Sequence, residues 1–499
     1  MAVQSRIYYL KNFGKNTIIY AVGNILSRAT AFLLIPLYTR TLSVHDYGLL
    51  ATLITTIQIM IIFISAGMRT GLLRFFKEYE EQGKLGDLIG STIFINLSGG
   101  IIVSMFAPLL LSPLFKIILD TSTVFNYLFL SCLISTLQAL SEQMMTYYRA
   151  KHEPIKFLVS GVSISVLSII ATYIFIVVFN FGVQGALMAQ IIAYGLVFIV
   201  IFLHVLLKLG LHISIDSVKK LGRFGIPLIF ASSGEVVTFA SAMYLLGYFR
   251  SLEEVAIYSI AIKIAYITDI ILILPFQMAY EPFVYNNLNS PNFKQIISKI
   301  LTYLLLSFSL VAFSLVVIFR DLLTFFTTEA YSTAYLLIFL VLPGIAFKNV
   351  YYIGESLLNI VKKTSIAGTI VTIFTILSLI LNYFLIKHWG TYGLILVFYF
   401  TSIGKSVIIL WKGIKKIPIH LETRKLIMVS IFFLVLLILT CYLNQFSCII
   451  FYILAVLTAI LGMMLLYYFN FFSETEKIFI KENLYKIKFR FVSFIFLIV

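Results

Sequence analysis

Charge is what this 499-residue chain has least of. Asp, Glu, Lys and Arg together make up 12% of it, about half the share usual in soluble domains. With 61% hydrophobic residues and a mean hydropathy of +1.03, it is excluded from the water-soluble enzymes and from disordered proteins. Cysteine is scarce too. Cys132, Cys441 and Cys448 sit in apolar runs with no Cys-x-x-Cys pair, so they read as small buried hydrophobes and support neither a disulfide scaffold nor redox chemistry. The six His are scattered, and no His-Glu-x-x-His, Asp-x-Asp or Gly-x-Ser-x-Gly occurs. A metal site or a glycosyltransferase centre therefore has no basis. IGKS at 403–406 imitates the end of a phosphate-binding loop, but Tyr399 stands where the first Gly is required and the segment is apolar. No cofactor and no metal are expected.

What is present is apolar length. Aromatics reach 16%, mostly Phe and Tyr, which suits lipid-facing helices with ring belts at the interfaces. A membrane-crossing helix needs about 20 mostly apolar residues. Fourteen stretches qualify: 16–38, 48–68, 89–112, 124–147, 156–179, 184–207, 225–248, 256–280, 297–319, 333–354, 364–386, 391–411, 426–443 and 447–469. The eighth is weakened by Pro275 and Pro282. The first is read as retained, because no small-residue cleavage site follows it. The tail over 473–499 is basic and amphipathic and is expected to lie along the membrane surface. Trp389 and Trp411 close spans eleven and twelve as interface anchors.

The formal charge of +16 is a topology signal. With a cytoplasmic N-terminus, 28 of the 37 Lys and Arg fall in the inside loops and ends, the positive-inside pattern. Both termini are then cytoplasmic, and the excess is no evidence for nucleic acid. Arg28, Lys263, Lys348 and Lys405 are the basic residues left within spans.

The first twelve spans repeat at a nearly constant offset. Phe13-Gly14 and Phe224-Gly225 lie 211 residues apart, Arg40 matches Arg250, and the Gly-x-x-Gly pairs at 182/185 and 390/393 lie 208 apart. Six helices between copies keep the copies parallel. The expected architecture is an all-α integral membrane protein with about 14 transmembrane helices. Two parallel six-helix bundles (1–210 and 211–415) would flank a central cavity, as in alternating-access transporters. Residues 416–472 would add two helices.

The segments LLIPLYTRTLSVHDYGLL (33–50), GMRTGLLRFF (67–76) and LEEVAIYSIAIKIA (252–265) resemble the Wzx-type polysaccharide and O-antigen flippases of the multidrug/oligosaccharidyl-lipid/polysaccharide (MOP) superfamily, over roughly residues 10–412. The resemblance implies a transporter, not an enzyme, that moves undecaprenyl-pyrophosphate-linked oligosaccharide from the inner to the outer leaflet. It implies a polysaccharide polymerase and chain-length regulators as partners, beside the phospholipid bilayer itself. Lipid II flippases and drug or cation antiporters share the fold and are the competing readings. A membrane polymerase would need a large outside loop, whereas the longest here is about a dozen residues.

Charges inside a bilayer cost about 2.5–3.5 kcal/mol each on insertion scales, so each one in a span invites an explanation. Arg28, with Asn24 four residues earlier on the same face, is a candidate pyrophosphate ligand, because a guanidinium grips phosphate through a bidentate fork. Lys263 is the second cavity cation, and Arg69, at the inner end of span two, is placed to admit an anionic head group. Glu235 and Asp269 are candidates for ion coupling. Glu142 with Arg149 and Lys348 with Glu355 lie seven residues apart on single helix stripes and are candidate gate ion pairs. Each of these charges also has a plain reading, as an interhelical pair or a lipid anchor.

Overall fold

The computed structural model describes residues 23, 30–119, 123–288, 290–474 and 476–478. They are helical almost throughout and contain no strand. In chain order the helices are α1 (Ile35–Thr41), α2 (Val44–Ser65), α3 (Met68–Glu81), α4 (Leu85–Leu119), α5 (Val124–Ala150), α6 (Pro154–Thr172) and α7 (Gly182–Leu209). Then follow α8 (Ile215–Phe249), α9 (Leu252–Ala265), α10 (Leu274–Asn287), α11 (Phe293–Phe326), α12 (Ala334–Ile360), α13 (Thr364–Lys416), α14 (Thr423–Leu443) and α15 (Cys448–Tyr468). Among the described residues, eleven helical segments are long and apolar enough to cross a membrane, or twelve if α8, bent by 50° between Ile229 and Ser233, counts as one crossing. The bend follows Pro227, where the missing N–H and the ring's clash with the preceding turn open the helix. The protein is an all-α, multi-pass membrane protein. Most of the first expected span lies outside the described residues.

The chain divides into two compact units, residues 1–286 with 321–416 and residues 287–320 with 417–499. In the second unit, α11, α14 and α15 close on Phe313, Phe432, Leu436 and Phe451. Arg320 holds one end of this unit together. Its Nε donates to Asn444 Oδ1 at 3.0 Å, Nη2 donates to the carbonyls of Asn444 and Phe446, and its guanidinium lies 4.2 Å from the Phe451 ring centroid. It thereby occupies carbonyls that the end of α14 leaves without helical partners.

In the first unit, matched features recur at the repeat spacing. Ser43 caps α2 by accepting from the Asp46 N–H at 3.0 Å, and Ser251 caps α9 by accepting from the Glu254 N–H at 3.3 Å. Both are serines followed three residues later by an acid, the arrangement that satisfies exposed N–H groups at a helix start. Gly182 and Gly390, also 208 residues apart, take φ of +54° and +56°, a conformation open to glycine at little cost. At Gly390 this breaks α13 into two helices (364–389 and 391–416), so spans eleven and twelve meet at a sharp corner. The corner's freed backbone groups have partners, as irregular backbone at membrane depth requires. Arg250 donates to the His388 carbonyl at 2.8 Å, while the Thr391 N–H and hydroxyl both reach Glu254 Oε2, at 3.2 and 2.6 Å. Arg40, the repeat mate of Arg250, likewise donates to a carbonyl, that of Phe325, at 2.6 Å.

The eighth expected span resolves into α9, a turn at Tyr266, a wide π-type turn over Asp269–Ile273, and α10. Between α5 and α6, Glu153 meets Lys156 at 2.8 Å and Lys151 at 3.7 Å. Partial burial pushes its carboxyl pKa up, but the two ammonium groups outweigh this and hold it below the usual carboxylate range.

Candidate functional site: two charged cavities in one helical unit

The first unit contains a cavity of about 680 Å³ lined by residues of α1, α2, α3, α5, α6, α7 and α9, within the size range of small-molecule sites. Among the described residues its charged lining is Arg69, Arg149 and Lys263 against Glu142 alone, and Gln58, Gln138, Gln190 and Tyr194 add neutral polar groups. Arg69, at the start of α3, pairs with Glu142 on α5. Glu142 also accepts from Gln138 Nε2 at 2.9 Å, one turn earlier on the same helix. Lys263 comes from α9, in the segment expected to be the second copy of the repeat. Its Nζ donates to Tyr47 Oη of α2 at 3.1 Å and lies 5.2 Å from that ring's centroid. The buried Tyr47 thus orients the ammonium without neutralising it. With Arg69 paired to Glu142, the lining keeps a net positive charge carried by Arg149 and Lys263.

A second, smaller cavity of about 90 Å³ lies among α8, α9, α12 and α13, lined by Glu235, Thr238, Tyr266, Lys348, Asn382 and Lys405 among others. Here each lining lysine meets a carboxylate. Lys405 Nζ is 3.4 Å from Glu235 Oε1, and Lys348 Nζ is 3.5 Å from Asp269 Oδ2 while standing 4.3 Å from the Tyr266 ring centroid. Both candidate coupling carboxylates therefore face a lysine. Removing one partner should show this. Lys405→Gln and Glu235→Gln are each expected to lower stability, and the double variant to recover part of the loss. A double-mutant cycle in denaturant or thermal unfolding should give a coupling of about 0.5–3 kcal/mol, and additive effects would refute the pairing.

The expected gate pairs are corrected. Glu142 is bonded to Arg69 and Gln138 rather than to Arg149, and Lys348 to Asp269 rather than to Glu355. Seven residues bring side chains back to one stripe but also two turns along the helix, about 10.5 Å apart, so each charge meets a neighbour on another element instead. Arg149 still lines the cationic cavity, and Glu355 lines a separate pocket with Tyr280 and Tyr352. Glu235 is paired with Lys405 and not with Lys263. Arg28 and Asn24 lie outside the described residues. Reading the sequence missed Tyr47 and the role of Lys405. A lone lysine in an otherwise apolar span was the signal for Lys405.

With this geometry in view, the comparisons are specific. The family model for polysaccharide biosynthesis proteins matches residues 13–288, more than half of the chain. The chain belongs to the polysaccharide biosynthesis protein family. No curated protein sequence matches this family member. Solved structures agree on its fold. It resembles the lipid II flippase MurJ in an inward closed conformation, with a TM-score of 0.69 at 13% identity over 92% of this chain and 99% of that one. It also resembles an inward-facing multidrug resistance MATE family transporter of the MOP superfamily (TM-score 0.61, 14% identity, 80% and 94% covered). A third is the Vibrio cholerae MATE transporter VcmN in the bent form (0.54, 20%, 81% and 96%). At such identities the likeness establishes the fold, that of the MOP-superfamily transporters.

Proposed function

We propose that this family member is a flippase that carries undecaprenyl-pyrophosphate-linked oligosaccharide across the bacterial inner membrane. The observation that carries the reading is the cavity lined by Arg69, Arg149 and Lys263 with Glu142 as the one acid among its lining residues. A pyrophosphate is the anion such a site suits, since arginine and lysine give its oxygens charge-assisted hydrogen bonds. Membership in the polysaccharide biosynthesis family and the likeness to a lipid II flippase support the same substrate class. The N-terminal (1–210) and second (211–415) six-helix bundles would rock about this cavity. Lys263, which reaches Tyr47 from the second copy, would join them through the bound anion. Arg28 and Asn24 are proposed to extend the anion site.

Both termini would be cytoplasmic, and a polymerase with its chain-length regulators would receive the product. Glu235 and Asp269 are the groups through which an ion gradient would act, each exchanging its lysine for an incoming cation. Lipid II is the second reading, favoured by the match that covers nearly all of both chains, because the same pyrophosphate anchor would satisfy the same cations.

The test is translocation in proteoliposomes containing the purified full-length protein. Undecaprenyl-pyrophosphate-linked oligosaccharide is expected to reach the opposite leaflet faster than in protein-free vesicles. Movement of lipid II alone would favour the second reading. Export of a lipophilic cation such as tetraphenylphosphonium, with neither lipid moved, would overturn both.

A further inference from the structure

The cationic cavity supplies ligands for phosphate, with Gln58, Gln138, Gln190 and Tyr194 beside them. Another pocket has the complementary chemistry. Where α10 and the end of α12 come together, Tyr280, Glu281, Tyr285, Tyr352, Glu355 and Asn359 line a recess of about 150 Å³, room for about five waters or one pyranose ring. Its aromatic wall is fixed in place. Phe276 and Tyr280 stack with centroids 5.0 Å apart, and Tyr280 and Tyr352 lie 5.8 Å apart. The Tyr280 hydroxyl is hydrogen-bonded to Ser356 Oγ at 2.9 Å, and the Tyr352 hydroxyl donates to Glu281 Oε1 at 2.9 Å. Tyr285 is 57% exposed, leaving its ring available.

Aromatic faces beside acceptor-rich side chains are what a sugar needs. Its C–H face packs on a ring, and its adjacent hydroxyls donate to carboxylates and accept from an amide. A compact organic cation would use the rings and acids but would leave Asn359 unused. The lining includes two carboxylates and no lysine or arginine, so a sugar carrying its own carboxylate meets like charge. Glu355 stands two helical turns, about 10.5 Å, beyond Lys348, which places the recess next to the second cavity on the same helix.

We propose that this recess is a glycan subsite, one that accepts a neutral pyranose of the transported oligosaccharide and discriminates against acidic sugars. The assignment rests on the flippase reading, and it names Tyr352, Glu281 and Glu355 as specificity-determining residues.

The test uses the full chain in nanodiscs, with N-acetylglucosamine and methyl glucoside as neutral probes, glucuronic acid as the acidic probe and tetramethylammonium as the cationic one. Binding is read by saturation-transfer NMR. At least one neutral probe is expected to bind. Binding should weaken roughly threefold to tenfold in Tyr352→Ala, which removes a stacking face, and by about tenfold or more in Glu281→Gln, which weakens an ionic hydrogen bond. Tyr352→Phe keeps the ring and should fall between wild type and Tyr352→Ala, which guards against a folding artefact. The double variant Glu281→Gln with Glu355→Gln should gain binding of glucuronic acid. Equal neutral-sugar binding by wild type and Tyr352→Ala, no binding of either neutral probe, or capture of tetramethylammonium in their place would overturn the subsite. Translocation of lipid-linked oligosaccharide is measured on the same preparations. If wild type translocates while sugar binding ignores these residues, the subsite alone fails. If wild type moves no lipid-linked oligosaccharide, the flippase reading fails.

Discussion

Gly48→Val is expected to stop transport in a protein that still inserts and accumulates. A Cβ at position 48 would lie 1.9 Å from the Leu252 carbonyl oxygen and 2.6 Å from its carbonyl carbon, distances that a side-chain rotation cannot relieve because the obstacle is backbone. The start of α2 and the start of α9 meet here with no side chain between them, the close approach that small residues permit between membrane helices. Their neighbours Tyr47, Val255 and Ala256 are almost fully buried, so the contact has no free space into which to relax. Overpacking of this kind costs about 1–3 kcal/mol, borne by the state in which these helix ends touch. If that state is one of the two a transporter alternates between, its population falls roughly 5-fold to 150-fold and the cycle slows accordingly. Cysteines introduced beside Leu252 should become more reactive to a membrane-impermeant maleimide in Gly48→Val. Gly222→Ala, where an added Cβ meets nothing within 4 Å, is the control and should transport normally. Normal transport by Gly48→Val at normal protein level would show that the two helix ends separate freely.

Reversing the charge at Lys263 is the second large effect. Lys263→Glu would set two acids against Arg69 and Arg149 in the cavity lining and place a carboxylate beside the Tyr47 hydroxyl. Lys263→Gln removes the charge only. A hydrogen bond to an ionised group contributes about 1.5–3 kcal/mol, so Lys263→Gln should weaken uptake of the pyrophosphate-linked lipid roughly tenfold to a hundredfold, and Lys263→Glu more. Lys263→Arg, which keeps the charge, should recover part of the activity. The measurement is the initial rate of flipping against substrate density in proteoliposomes, with the loss appearing mainly as a raised KM. Wild-type kinetics in Lys263→Glu would remove this residue from the anion site. Tetraphenylphosphonium, measured in parallel, should be handled no worse by Lys263→Glu, because the substitution repels anions alone.

Much of the architecture was legible in the sequence because lipid imposes a simple rule. A segment of about 20 apolar residues surrounded by hydrocarbon has to close its own hydrogen bonds, and a helix is the single-segment way to do so. The stretches from 48–68 to 447–469 accordingly fall on helices, the seventh bent and the eighth interrupted after Ala265, and the Gly390 corner was signalled by the Gly-x-x-Gly pair that separates spans eleven and twelve. The rarity of charges in the spans made Lys263, Glu235, Asp269, Lys348 and Lys405 conspicuous from the sequence alone.

Their partners were another matter. Helical spacing says which side chains share a stripe, but a charge in a membrane helix finds its counter-charge wherever another helix brings one within reach. That distance depends on packing between segments far apart in the chain, 170 residues for Glu235 and Lys405. Glu142 took Arg69, and Lys348 took Asp269, because elements close in space outcompete residues two turns away on one helix. Hydrophobicity and periodicity determined that this chain is a helical membrane protein and which of its charges are exceptional. Only the packing of α2, α3 and α5 with α9 decided that Arg69, Arg149 and Lys263 surround one cavity, and only the meeting of α10 with α12 set Tyr280, Tyr352 and two glutamates around another.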